Sequence, residues 1–120
     1  MKYELPNGFI YHSDIIEGIR ELEDNSVDLV VTSPPYNVGI DYKGHDDNIP
    51  WKEYWEWMDE ILRELYQKMT VGGRVCWNVS INVVGKRKNK HKRNLRVNLM
   101  QKFKNIFDQY YEDMGDILWL

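Results

Sequence analysis

The residues best placed to do chemistry are Thr32-Ser33-Pro34-Pro35-Tyr36, which close the apolar run Val27-Asp28-Leu29-Val30-Val31. Ser33 supplies a hydroxyl acceptor, and a backbone carbonyl within Ser33-Pro34 supplies a second. Proline has no N–H and little freedom, so these carbonyls are held in place and are not drawn into a ladder. Tyr36 adds a flat ring that can stack. Two acceptors beside a ring suit a planar partner that carries an amino group. Serine is a weak base at neutral pH, so its part would be to orient and polarise that group, with the proton lost later to water or a carboxylate. Asp41, Asp46 and Asp47 in the following loop are candidates for no more than that acceptance. A Ser-Pro-Pro-Tyr string can also be a polyproline turn or a ligand for a proline-binding domain. Its place directly after a buried strand argues for the first use.

The elements that must position these residues alternate along the chain. Residues 9–12 read as a short strand. Ser13 or Asp14 is placed to cap a helix running to Leu22, with Ile15, Ile16, Ile19 and Leu22 on one face. After the turn at 23–26, residues 27–32 form a second strand that the proline pair must end. Residues 37–50 form a long polar loop. Pro50 suits a helix start, and Trp51, Tyr54, Trp55, Met58, Ile61, Leu62, Leu65 and Met69 follow one buried face, so a helix is expected over 51–69. These aromatic residues, Trp57 included, read as core and surface cover. Gly72-Gly73 should end that helix, with a third strand over 74–80, a basic loop over 81–94, a last helix over 95–111 and a fourth strand from Asp116. Strands separated by helices predict an α/β fold with a mostly parallel sheet and helices on both faces. The right-handed crossover rule then brings the loops after the second and third strands to one sheet edge, where ligands bind in such folds.

Composition narrows the possibilities. A chain of 120 residues with 42% hydrophobic and 29% charged residues predicts one small globular domain. The net charge of -3 argues against general nucleic-acid affinity. Yet seven of the sixteen Lys and Arg residues crowd into positions 86–96. Lys86, Arg87, Lys88, Lys90, Lys92 and Arg93 are thus candidates for phosphate contacts, and a solvated loop is the alternative. The single Cys76 excludes an internal disulfide and a cysteine-rich zinc site. Between Val75 and Trp77 it reads as a buried strand residue. His12, His45 and His91 have no second ligand at metal spacing, so no metal is expected. Absence of a secretory signal or membrane-length apolar run points to a cytoplasmic protein.

The motif and its surroundings resemble the amino-group DNA methyltransferases, which methylate the exocyclic nitrogen of cytosine or adenine. The resemblance runs from Ile10-Tyr11-His12-Ser13-Asp14 through residues 24–39, Trp51-Lys52-Glu53-Tyr54-Trp55-Glu56-Trp57 and Gly72-Gly73-Arg74-Val75-Cys76-Trp77-Asn78 to Asp116-Ile117-Leu118-Trp119. It implies a partial Rossmann-like fold that uses S-adenosylmethionine and acts on double-stranded DNA. Ser33, Pro34, Pro35 and Tyr36 would form the catalytic motif. Asp14, Thr32 and Asn78 would lie near the cofactor, although Asp14 serves equally as a helix cap. Such enzymes rotate the target base out of the duplex. In the subgroup resembled, a target-recognition region and a glycine-rich Phe-x-Gly-x-Gly cofactor loop follow, and neither is found here. Residues 1–120 are therefore expected to form one truncated catalytic subdomain, weak or inactive alone, that self-associates or joins a complementary half. Serine at position 33 favours cytosine N4 over adenine N6. A non-catalytic DNA-binding or interaction remnant is the rival reading.

Overall fold

The computed structural model describes residues 1–88 and 94–117, with backbone alone at 85–88 and 94–95. In chain order the elements are β1 (Lys2–Leu5), β2 (Gly8–Tyr11), α1 (Ile15–Arg20), β3 (Val27–Thr32), β4 (Asp41–Tyr42), β5 (His45–Asp46), α2 (Trp51–Lys68), β6 (Met69–Trp77), β7 (Asn82–Lys88), β8 (Asn94–Asn98) and α3 (Leu99–Phe107). The α/β frame is centred on the parallel pair β3–β6, joined through α2. No helix of the described residues is long and apolar enough to cross a membrane.

Alternation along the parallel pair decides its packing. Val30 opposite Val75 and Thr32 opposite Trp77 face inward, while Leu29 opposite Arg74 and Val31 opposite Cys76 face outward. The inner side meets a core of Ile19 from α1, Tyr54, Met58, Ile61 and Leu65 from α2, and Leu99 and Phe103 from α3, with Val30 and Trp77 packed against it. On the outer side Leu29 and Val31 are 57% and 73% exposed. The helices described thus gather on one face of the pair.

The helices begin and end where local chemistry dictates. Asp14 caps α1, its Oδ1 accepting the Ile16 N–H at 2.9 Å. Pro50 is the N-cap of α2, one position before the first helical residue. At the far end of α2, the Asn25 and Ser26 N–H groups donate to the Gln67 and Lys68 carbonyls at 3.2 and 2.9 Å, so the 23–26 turn satisfies the last helical acceptors. Lys68 reaches Asp24 at 2.6 Å in the same place.

Several expectations are corrected. The strand over 9–12 exists as β2, but it pairs antiparallel with β1 in a separate hairpin and does not join the parallel sheet. Gly72-Gly73 lies inside β6, where the chain leaves α2 at Lys68 and extends at once. Of the loop expected over 81–94, residues 82–88 instead form β7, which pairs antiparallel with β8, with Val83 opposite Val97 and Val83 buried, and residues 89–93 lie outside the described residues. The last helix accordingly starts at Leu99, capped by the Asn98 side chain on the Gln101 N–H at 2.9 Å. Asp116 and Ile117 form no strand, and the rest of that predicted element lies outside the described residues. Cys76 is exposed, not buried, because strand alternation turns it to the uncovered face.

Candidate functional site

Because β3 and β6 are parallel, the chain leaves both at one edge. The Asn78 N–H donates to the Thr32 carbonyl at 2.8 Å, carrying the ladder one step past the strands. Ser33 stands exposed just beyond it. The Tyr36 hydroxyl donates to the Asn78 carbonyl at 3.2 Å and lies 3.4 Å from Ser33 Oγ. The motif thus folds back over the end of β6, and Thr32, Ser33, Tyr36 and Asn78 come together at one strand edge.

The two prolines are not equivalent. The Tyr54 phenol, rising from α2, donates to the Pro35 carbonyl at 2.7 Å. Tyr54 is 1% exposed, and burial, with the charge of Asp47 and neighbouring Tyr36 adding, raises its pKa and keeps it a donor. The Pro35 carbonyl is therefore already engaged. Among the described residues no donor is bonded to the carbonyls of Ser33 or Pro34, so those remain the acceptors beside Ser33 Oγ.

The loop after Tyr36 is held by one carboxylate. Asp47, 2% exposed, accepts from the Asn37 N–H through Oδ1 at 2.9 Å. Its Oδ2 accepts from Val38, Gly39 and Ile40 at 3.1, 3.1 and 3.0 Å. Asn37 and Gly39 take positive φ, 57° and 83°. Both are residue types that tolerate this region, and the alternation curls successive N–H groups onto one anion. The Asn37 side chain, itself buried, donates to the Ile49 carbonyl at 2.9 Å. From sequence, Asp47 reads as a loop carboxylate that could accept the released proton, a role its burial under four amides fits poorly, and Tyr54 reads only as core. The available signal was Asn37-Val38-Gly39, with left-handed-tolerant residues at alternate positions, followed by the turn residues of 43–48.

The remaining site residues fall elsewhere. The Asp14 carboxylate is committed to capping α1, which is the second role the sequence allowed. Lys86, Arg87 and Lys88 are described by backbone alone, in β7, and Lys90, Lys92 and Arg93 lie outside the described residues. Nearby, Trp51 stacks on Trp55 with ring centroids 5.6 Å apart. Both line an open groove with Arg96, Asn98, Gln101, Lys102 and Asn105.

The chain is 47% identical over 62 residues to the Type II methyltransferase M.MjaVI of Methanocaldococcus jannaschii, covering 52% of this chain and 32% of that one. It is 30% identical over 66 residues to the DNA adenine methyltransferase YhdJ of Escherichia coli, covering 53% and 22%. The fold matches a Thermus thermophilus protein, described as a DNA modification methylase and solved with S-adenosyl-L-methionine, at a TM-score of 0.61 and 24% identity, over 81% of this chain and 38% of that one. It also matches the cytosine-N4-specific PvuII DNA methyltransferase at a TM-score of 0.55 and 19% identity, over 83% and 33%. The chain thus matches only part of these proteins, between 22% and 38% of their length. The sequence profile of the N6/N4 DNA methylases covers residues 27–118, most of the chain and all of the motif just described, and the chain belongs to that family.

Proposed function

We propose that this chain carries the base-binding motif of an S-adenosylmethionine-dependent DNA methyltransferase that acts on an exocyclic amino group, with cytosine N4 favoured by Ser33 and adenine N6 the alternative. The observation that carries the reading is an exposed Ser33 Oγ beside Ser33 and Pro34 carbonyls that accept no hydrogen bond from the described residues, while the Pro35 carbonyl is taken by Tyr54. The amino nitrogen of a nucleobase is a poor nucleophile because its lone pair is delocalised into the ring. Two acceptors that hold both amino hydrogens orient that lone pair, so positioning and electrostatics supply the catalysis. Tyr36, its hydroxyl tethered to Asn78, offers its ring to the flipped base, an interaction worth roughly 1–3 kcal/mol. The cofactor brings an electrophilic methyl group on a sulfonium. Thr32 and Asn78, at the same strand ends, are the residues that would line its side, whereas the engaged Asp14 carboxylate fits that role poorly. The proton released from the amino group passes to water.

The proposed activity rests with a larger assembly: the remaining parts of a methyltransferase, which these residues do not supply, complete the site. The test is transfer of tritiated methyl from S-adenosylmethionine to unmethylated genomic DNA, by the chain alone and with a complementary methyltransferase portion. Digestion to nucleosides then separates N4-methylcytosine from N6-methyladenine. Methylcytosine supports the cytosine reading and methyladenine replaces it. Salt-sensitive DNA binding with no transfer in either arm, unchanged by Ser33→Ala or Tyr36→Ala, would instead establish a non-catalytic binding remnant.

A further inference from the structure

We infer that Asp47 is the positioning residue of the motif: by gathering the N–H groups of Asn37, Val38, Gly39 and Ile40 onto its buried carboxylate, it fixes where Ser33, Pro34 and Tyr36 stand. This rests on the functional reading above and names what sets its geometry.

A buried carboxylate needs compensation, and among the described residues no Lys or Arg pairs with this one. His45 Nε2 is 3.9 Å from Oδ1, beyond hydrogen-bond reach. Compensation comes from the four amides, each within 3.1 Å. A carboxylate offers about two lone-pair sites on each oxygen, so the three amides saturate Oδ2 and the Asn37 amide takes one site on Oδ1. The first of the four amides belongs to the residue directly after Tyr36, which leaves little slack between clamp and motif. The route by which Asp47 returns is also built: Asp41 pairs with Asp46 and Tyr42 with His45, a miniature hairpin that delivers residue 47 back to residue 37. The Gly39 N–H reaches the Asp47 carbonyl as well, at 2.7 Å. Two further ties converge on the same stretch, Tyr54 on the Pro35 carbonyl and Asn37 on the Ile49 carbonyl. The motif is thus fixed from the loop side by Asp47 and from the helix side by Tyr54.

The test uses the full chain, isotopically labelled, and compares amide hydrogen exchange and side-chain resonances in Asp47→Ala and Asp47→Asn. In Asp47→Ala, exchange at residues 37–40 should rise at least about tenfold, with α2, β3 and β6 little changed. The Tyr36 ring and Ser33 signals should shift with it. Asparagine has the same size and one carbonyl oxygen. It can keep that oxygen on the three-amide side and turn its NH2 toward Asn37, so Asp47→Asn should expose chiefly the Asn37 amide. This variant also serves if the alanine form does not fold. Unchanged exchange at 37–40 would overturn the inference. So would a freed loop with Ser33 and Tyr36 signals unmoved, or a uniform rise through the whole chain. Where methyl transfer is measurable, kcat should fall about ten- to hundredfold with KM for DNA nearly constant, and a change in KM alone would count against positioning. A parent preparation that transfers no methyl group even with the complementary methyltransferase portion counts against the functional reading and leaves the resonance and exchange results to decide the role of Asp47.

Discussion

At the scale of single residues, the site is a matter of which acceptors are free and which are taken. Tyr54 shows how a core position takes part. Its ring fills the centre of the hydrophobic cluster, while its hydroxyl fixes a carbonyl of the motif. Tyr54→Phe keeps the ring and removes the donor, leaving the Pro35 carbonyl unpaired. A loss of about 1–3 kcal/mol in urea unfolding is expected. A fall in methyl transfer larger than in Leu62→Ala, matched for stability, would show that the bond also orients the motif. Tyr36→Phe and Tyr36→Ala divide the duties of that side chain. Phenylalanine retains a stacking face and loses the tether to Asn78, so binding of DNA with an extrahelical base should survive better than in the alanine form. Equal affinities in both variants would remove the stacking role. The motif itself was legible in the sequence because Ser-Pro-Pro-Tyr after a buried strand constrains its own backbone. The Asp47 cradle was not, because four amides and a carboxylate up to ten residues away become neighbours only when the 41–46 hairpin closes.

At the scale of elements, two interfaces make separate claims. Helix α1 docks on α2 through Ile19 and through Arg20, whose guanidinium meets Glu64 at 2.9 Å and Glu60 at 3.3 Å. The hydrogen bond from Arg20 is the largest cause that holds the Glu64 carboxyl below its ordinary range. A carboxyl lowered in the folded state adds stability above its unfolded pKa and loses it as pH falls through the folded one. Arg20→Gln should therefore melt slightly below the parent at neutral pH, with the gap closing under acid conditions. A gap that stays constant with pH would assign the effect to packing. The second interface is the groove between α2 and the start of α3. If the DNA reading holds, Arg96 and Lys102 meet phosphates there. Replacing both with alanine should weaken binding and flatten its salt dependence by roughly 0.9 in log–log slope for each phosphate no longer neutralised. An unaltered slope would put the groove outside the DNA path. Helix α2 was readable from its apolar periodicity, whereas β7 and β8 were not. Their basic residues mask a short alternation in which Val83 and Val97 mark the inner side, and cross-strand pairing outweighs the helical pattern expected from Leu95 onward.

At the scale of the whole molecule, the parallel pair β3–β6 is finished on one side and open on the other. Leu29 and Val31 stand exposed on the outer face, with Arg74 and Cys76 across from them in register. An apolar strand face of this kind is a site of association, and a free strand edge adds backbone groups able to pair. The expected outcome is that the purified chain assembles with itself at micromolar concentration, and that Val31→Lys shifts it toward monomer in light scattering. Cys76 reports on the same face. Its thiol should react quickly with a chromogenic disulfide in dilute solution and more slowly as concentration rises. In Val31→Lys the rate should stay fast throughout. A lysine at position 31 adds charge to an exposed residue and leaves the core intact, so the melting temperature measured in dilute, monomeric samples should change little. A parent chain that is monomeric at all concentrations, with Cys76 equally reactive throughout, would show that this face needs no cover. The other parts of a methyltransferase would then have to complete the site through a strand edge of the β3–β6 pair.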